Sequence, residues 1–95
     1  MNQSNPPAAW DEFNEMRLWV QHYSGFNCPV LEVGHAGKRI GFSYERGPSV
    51  VRGYCEAAHG ICIFDSVDGS GSSRVYRNPK VAALEILERL QIPVV

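Results

Sequence analysis

"VLEVGHAGKRIGFSYE", residues 30–45, decides how this chain folds, because the hydrophobic period changes to two within it. In an extended chain Leu31, Val33 and His35 share one side, and Ile40, Phe42 and Tyr44 share one side of the next run. Ala36-Gly37-Lys38 lies between them and reads as a hairpin turn, with Gly37 free to take positive φ. An antiparallel hairpin is the expected centre of the fold, and the rest is read outward from it.

Upstream the period is helical. Pro6 and Pro7 suit a first helical turn, and Ala9, Phe13, Met16, Val20 and Tyr23 then fall on one side at 100° per residue. Trp10 and Trp19 flank that stripe, while Asp11, Asn14, Glu15 and His22 face away. Asp11 and Glu12 complement the helix dipole, and Gly25 is the expected stop. Residues 1–5 are polar and expected to be disordered.

Downstream, Arg46-Gly47-Pro48-Ser49 breaks the alternation as a loop. Residues 49–60, "SVVRGYCEAAHG", are two-sided: Val50, Val51 and Tyr54 favour a strand, whereas "YCEAAH" suits a short helix. The expectation is an edge strand or irregular piece entering a turn at 56–60. "GICIFDSV" (60–67) is apolar on both faces and reads as a central strand, followed by a hairpin tip "DGSGSS" (68–73) and a returning strand at 74–77. Asn78 is a natural N-cap with Pro79 at the first helical position. Ala83, Leu84, Leu87 and Leu90 form the apolar stripe, with Val81 and Ile86 beside it, and Pro93 ends the helix. The sum is one α+β domain over 1–95. It has an N-terminal helix, a three- to four-stranded antiparallel meander, and a C-terminal helix packed on the sheet.

Composition narrows the function. Ninety-five residues with 44% hydrophobic and 20% charged content suit one globular core. Nine Lys plus Arg against ten Asp plus Glu leaves a net charge of -1, unlike a dedicated polyanion binder. No apolar run spans a bilayer and no secretory pattern opens the chain. Three cysteines, an odd count, fit a disulfide framework poorly, so a reduced cytoplasmic protein is expected.

The one stretch with the look of chemistry is "CEAAHGIC" (55–62). Cys55, His59 and Cys62 could ligate zinc, with Cys28, His35 or His22 as a fourth ligand. The paired C-x2-C and H-x3-5-H spacings of structural zinc sites are missing, and Cys62 lies inside the apolar "ICIF". The expected arrangement is Cys62 in the core with Cys55 and His59 near a turn. A Cys55 nucleophile with His59 or His35 as base has no orienting pattern behind it, so no enzyme and no cofactor are expected. "DGSGSS" leads into a strand rather than a helix, which rules against a phosphate loop.

Contact residues are a different matter. Over residues 30–80 seven basic residues face five acidic ones, a net +2. Helix, meander, helix is also the order of double-stranded-RNA-binding domains, but their lysine cluster at the last helix is reduced here to Lys80. Trp10, Leu18 and Trp19 on the first helix, with Arg39, Arg46, Arg52, Arg74 and Arg77, are the expected partner-binding residues, since aromatics and arginine dominate protein hot spots. The expected partner is a larger protein, with nucleic acid through the arginines as the alternative and a homodimer left open.

With "NPKVAALEILERL" as its last helix, the chain resembles small phage-encoded α/β/α-sandwich proteins, and is similar in size and charge to anti-CRISPR-type inhibitors. The resemblance is one of architecture and implies a protein that acts by occupying a partner's surface.

Overall fold

The alternation in residues 30–45 becomes two strands, β1 (Val30–Ala36) and β2 (Arg39–Arg46), in a computed structural model. It describes residues 9–65 and 71–95, the side chains of 65 and 71–73 excepted. Ala36 pairs with Arg39 across the two-residue turn, where Gly37 has φ 61°. Arg46 pairs with Ser49 across a second turn of the same kind, Gly47 having φ 57° and Pro48 following it. Glycine first and a negative φ second is the type II′ pattern, whose twist matches that of the flanking strands. The expected loop at 46–49 is therefore a tight hairpin.

Residues 49–60 correct the sequence expectation. Ser49–Glu56 is a regular strand, β3, and it is the middle strand of five rather than an edge. It pairs with β2 along its whole length and with β4 (Gly60–Asp65) from Val51 to Glu56. Val51 and Cys55 are fully buried on one face while Arg52 is exposed on the other, so the strand does alternate. Gly53 hides the alternation in the sequence, because it fills an inward position without an apolar side chain. β4 is an inner strand but lies second from the edge, next to β5 (Gly71–Tyr76). The order is β1-β2-β3-β4-β5, all antiparallel: five strands where three or four were expected. Of the expected tip at 68–73, residues 68–70 lie outside the described residues and 71–73 belong to β5.

Both helices, α1 (Ala9–Ser24) and α2 (Pro79–Arg89), lie on the same face of the sheet and against each other. The architecture is thus two layers, with the other sheet face bare among the described residues. α1 buries Ala9, Phe13, Met16 and Val20 of the expected stripe and half-buries Tyr23; the expected start at Pro6 and Pro7 lies outside the described residues. Phe13 is 5.8 Å from Trp10 and 6.4 Å from Phe42, and Phe42 is 5.9 Å from Tyr44. This aromatic chain docks α1 onto β2. α2 starts as expected, Asn78 accepting from the Lys80 N–H at 2.9 Å. Its stripe is shifted: Ala82, Ala83, Ile86 and Leu87 are buried, Leu84 is half-buried and Val81 is exposed.

Helix ends explain the rest. The Phe26 N–H donates to the Gln21 carbonyl at 2.9 Å and Gly25 has φ 67°, which is a Schellman motif at the expected stop. α2 ends with the same motif before Pro93: Ile92 donates to Leu87 at 2.9 Å and Gln91 to Glu88 at 3.1 Å. Here Gln91 occupies the left-handed position, at φ 58°. A side chain with a Cβ is disfavoured there, so Gln91→Gly should stabilise the protein by about 1 kcal/mol. The expected result is a melting temperature about 5 °C higher, and no rise would contradict this account of the cap.

Candidate functional site: the bare face of the sheet

Alternation along β2, β3 and β4 sends two sets of side chains in opposite directions. Ile40, Phe42, Tyr44, Val51, Cys55, Ile61 and Ile63 go under the helices and are buried. By register, Glu32, Arg39, Ser43, Glu45, Arg52, Tyr54, Glu56, Cys62, Phe64 and Val75 go to the bare face. Among the described residues no helix covers that face.

Its middle is aromatic. Tyr54 and Phe64 lie 6.1 Å apart with ring planes at 59°. The Arg39 guanidinium carbon stands 4.2 Å from the centre of the Tyr54 ring, and Arg39 Nη2 donates to Glu56 Oε2 at 3.0 Å. Cross-strand pairing makes this possible, since Arg39 opposes Glu56 and Gly41 opposes Tyr54. The Gly41 position leaves space for Arg39 to lie along the sheet. A half-exposed ion pair adds little stability, but it fixes where the guanidinium stands. Hydrogen bonding to Cys62 is the main cause holding the Tyr54 phenol above its ordinary pKa. Val75, opposite Cys62 on β5, is 42% exposed and extends the apolar centre towards the edge.

The expected contact residues divide among several places. Arg39 and Arg52 belong to the bare face. Arg46 closes the opposite side, donating through Nη1 to the Gln91 carbonyl at 3.0 Å. The Arg74 guanidinium carbon stands 4.8 Å from the Tyr76 ring centre at the far edge, and Arg77 is exposed between β5 and α2. Trp10 and Trp19 are half-buried against the core. Trp19 stacks on Tyr23 at 5.5 Å with Lys80 Nζ 5.0 Å from its ring centre, so both tryptophans pack the helix layer. Leu18 alone of the three is exposed, at 58%. The five arginines proposed for nucleic acid therefore do not form one surface.

The cysteine expectation is reversed. Cys55 is wholly buried under the helices and burial pushes its thiol up to about 12, whereas Cys62 is half-buried on the bare face. His59 is exposed in the turn. The three side chains are not brought together, and among the described residues no group of three His, Cys, Asp or Glu is placed to hold a metal. No helix among the described residues is long and apolar enough to cross a membrane.

The sequence alone does not mark Tyr54, Phe64, Glu56 and Val75 as contact residues. Their signal was there once β3 is a strand, because Arg52, Tyr54 and Glu56 alternate with Val51 and Cys55. Compared with protein families, with curated proteins and with solved structures, the chain matches none, so its own geometry carries the functional reading.

Proposed function

We propose that the protein is a small non-catalytic binding protein that grips a larger protein partner through the bare face of its sheet and acts by occluding it. The observation that carries this is the uncovered patch of Tyr54, Phe64 and Val75 with Arg39 held over Tyr54. Amphipathic aromatics and a pre-positioned arginine are the usual anchors of protein interfaces. Inhibition by occupancy is also what the likeness to small phage inhibitors implies.

Charge separates this reading from nucleic-acid binding. Tyr54 and Phe64 on an antiparallel sheet could stack bases. Yet the face carries two arginines, Arg39 and Arg52, against three glutamates, Glu32, Glu45 and Glu56. A polyanion needs a surplus of cations on the face it touches.

The test is affinity capture with the tagged protein, followed by mass spectrometry and titration of the recovered partner. Arg52→Glu and Tyr54→Ala should each weaken binding about 30-fold, the loss expected for an anchor worth about 2 kcal/mol. Leu18→Asp, on the helix side, should leave it unchanged. A partner lost with Leu18→Asp and kept with Arg52→Glu would overturn the assignment. Salt-sensitive binding of single-stranded oligonucleotides, abolished by Tyr54→Ala, would favour the nucleic-acid reading instead.

A further inference from the structure

We propose that β1 is a self-association edge, across which two copies pair antiparallel about a two-fold axis at Gly34 to make one ten-stranded sheet. Among the described residues β1 is bonded on one side only, to β2. After Val30 every residue of the strand is exposed, including Leu31 at 55% and Val33 at 45%. Of the usual guards of an open edge the strand has Glu32 and the bulge at its start, but no proline or lysine, and Val33 to Ala36 carry no fixed charge.

Turn geometry says which backbone groups face outward. A two-residue hairpin turn is closed by a mutually hydrogen-bonded pair, here Ala36 and Arg39. Bonded and non-bonded pairs then alternate, so Gly34 bonds inward to Gly41, while Val33 and His35 turn their N–H and C=O groups outward. A two-fold axis at Gly34 sets Val33 opposite His35 of the second copy, and His35 opposite its Val33. Each pair exchanges two backbone hydrogen bonds. At the axis the two Gly34 residues face each other, and nothing lies within 4 Å of where a Cβ would stand.

Charge selects this register and this occupant. With the axis at Gly34, Glu32 lies opposite Ala36 of the second copy, the last residue of that strand, and the turn that follows it carries Lys38, a long side chain of opposite charge. The symmetry gives two such Glu–Lys pairs. Moving the axis to Val33 would instead set Glu32 diagonal to its own copy, a like-charge contact. On the helix side, His35 already stands 6.4 Å from Trp10, and the incoming Val33 would cover that pair. The bulge between Val30 and Glu32 confines the pairing to residues 32–36. Such an interface is small and its dimer correspondingly weak. An axis perpendicular to the sheet keeps the two bare faces on the same side, so the dimer presents a doubled contact surface.

Sedimentation velocity from about 10 μM to about 1 mM tests this, a range that brackets the affinity of a small interface. The mass should rise from 10.6 kDa towards twice that value. Val33→Pro removes an outward N–H and leaves the ladder to β2 intact, so it should stay at 10.6 kDa throughout, with an unchanged circular dichroism spectrum. Glu32→Lys and Lys38→Glu should each weaken association about tenfold, and the double exchange should restore it. A mass of 10.6 kDa across the whole range would overturn the proposal. So would a dimer indifferent to both charge reversals, a result that stands even if Val33→Pro fails to fold.

Discussion

Gly53→Ala should lower the melting temperature by at least about 12 °C, an expected loss of about 3 kcal/mol or more. Gly53 is buried at the centre of the middle strand, paired with Phe42 on one side and Ile63 on the other. A Cβ built there would run into the Cys62 backbone carbonyl oxygen and come within 2.6 Å of Phe42 Cζ. The ring could turn aside, though it is held between β3 and Phe13 of α1. The carbonyl cannot move without parting β3 from β4, because it belongs to the ladder itself. This makes a second-site test informative. Phe42→Leu in the Gly53→Ala background removes the ring contact and leaves the carbonyl contact, so rescue should be incomplete. Melting of Gly53→Ala within 2–3 °C of the parent, about the noise of a neutral surface change, would mean that β3 and β4 have room for a Cβ at Gly53 and would overturn this prediction. The ring beside the glycine also explains how α1 finds its place: Phe42 brings its Cζ into the space above Gly53, and its ring lies 6.4 Å from that of Phe13, tilted by 30°.

That glycine also marks where the sequence stopped being legible. Residues 30–45 gave the first hairpin because every second position there carries a side chain with a clear preference. Both helices were legible from their stripes, and the α2 start from Asn78 and Pro79. β3 was not, because Gly53 leaves a gap in its inward series and "YCEAAH" has good helix formers on its far side. The positions of the cysteines depended on something no local pattern states, the length of the turn between β3 and β4. Glu56 pairs with Gly60 across three residues, which sets Cys55 opposite Ile61 and Cys62 opposite Tyr54. One residue fewer in that turn would have put Cys55 opposite Cys62 on a single face. The contact surface was hidden for the same reason, since Tyr54 and Phe64 meet only through that register. The arginines were visible as residues but not as a set, because Arg46 and Arg74 lie on parts of the sheet remote from Arg39 and Arg52.

The buried cysteine gives the second large effect, a loss of stability on the alkaline side. Burial is the first cause holding the Cys55 thiol up at about 12 against 9.0 in an open chain, with the Glu12 carboxylate and Cys62 adding to it. Burial likewise raises Cys28, against the opposing pull of Arg46, and raises the Tyr44 phenol, which has no hydrogen-bond partner among the described residues. All three groups are neutral when protonated. Above pH 9 the unfolded chain releases protons that the folded chain keeps, so the unfolded state gains free energy of ionisation and the fold weakens. Below pH 9 both states hold these protons and the full stability is present. From 9.0 to about 12 Cys55 alone accounts for about 4 kcal/mol, at about 1.4 kcal/mol per pH unit. That is a large share of the roughly 5–14 kcal/mol of a domain this size. Urea unfolding at intervals between pH 7 and 11.5, a window spanning the ionisation of an open-chain thiol, should show a midpoint steady to pH 8 and falling steeply beyond 9. Cys55→Val, close in volume and without a proton to lose, should flatten the fall, leaving the smaller slope due to Cys28 and Tyr44. Parallel profiles for the parent and Cys55→Val would mean that Cys55 ionises in the folded protein as it does in the open chain, and that water reaches the space between α1 and β3.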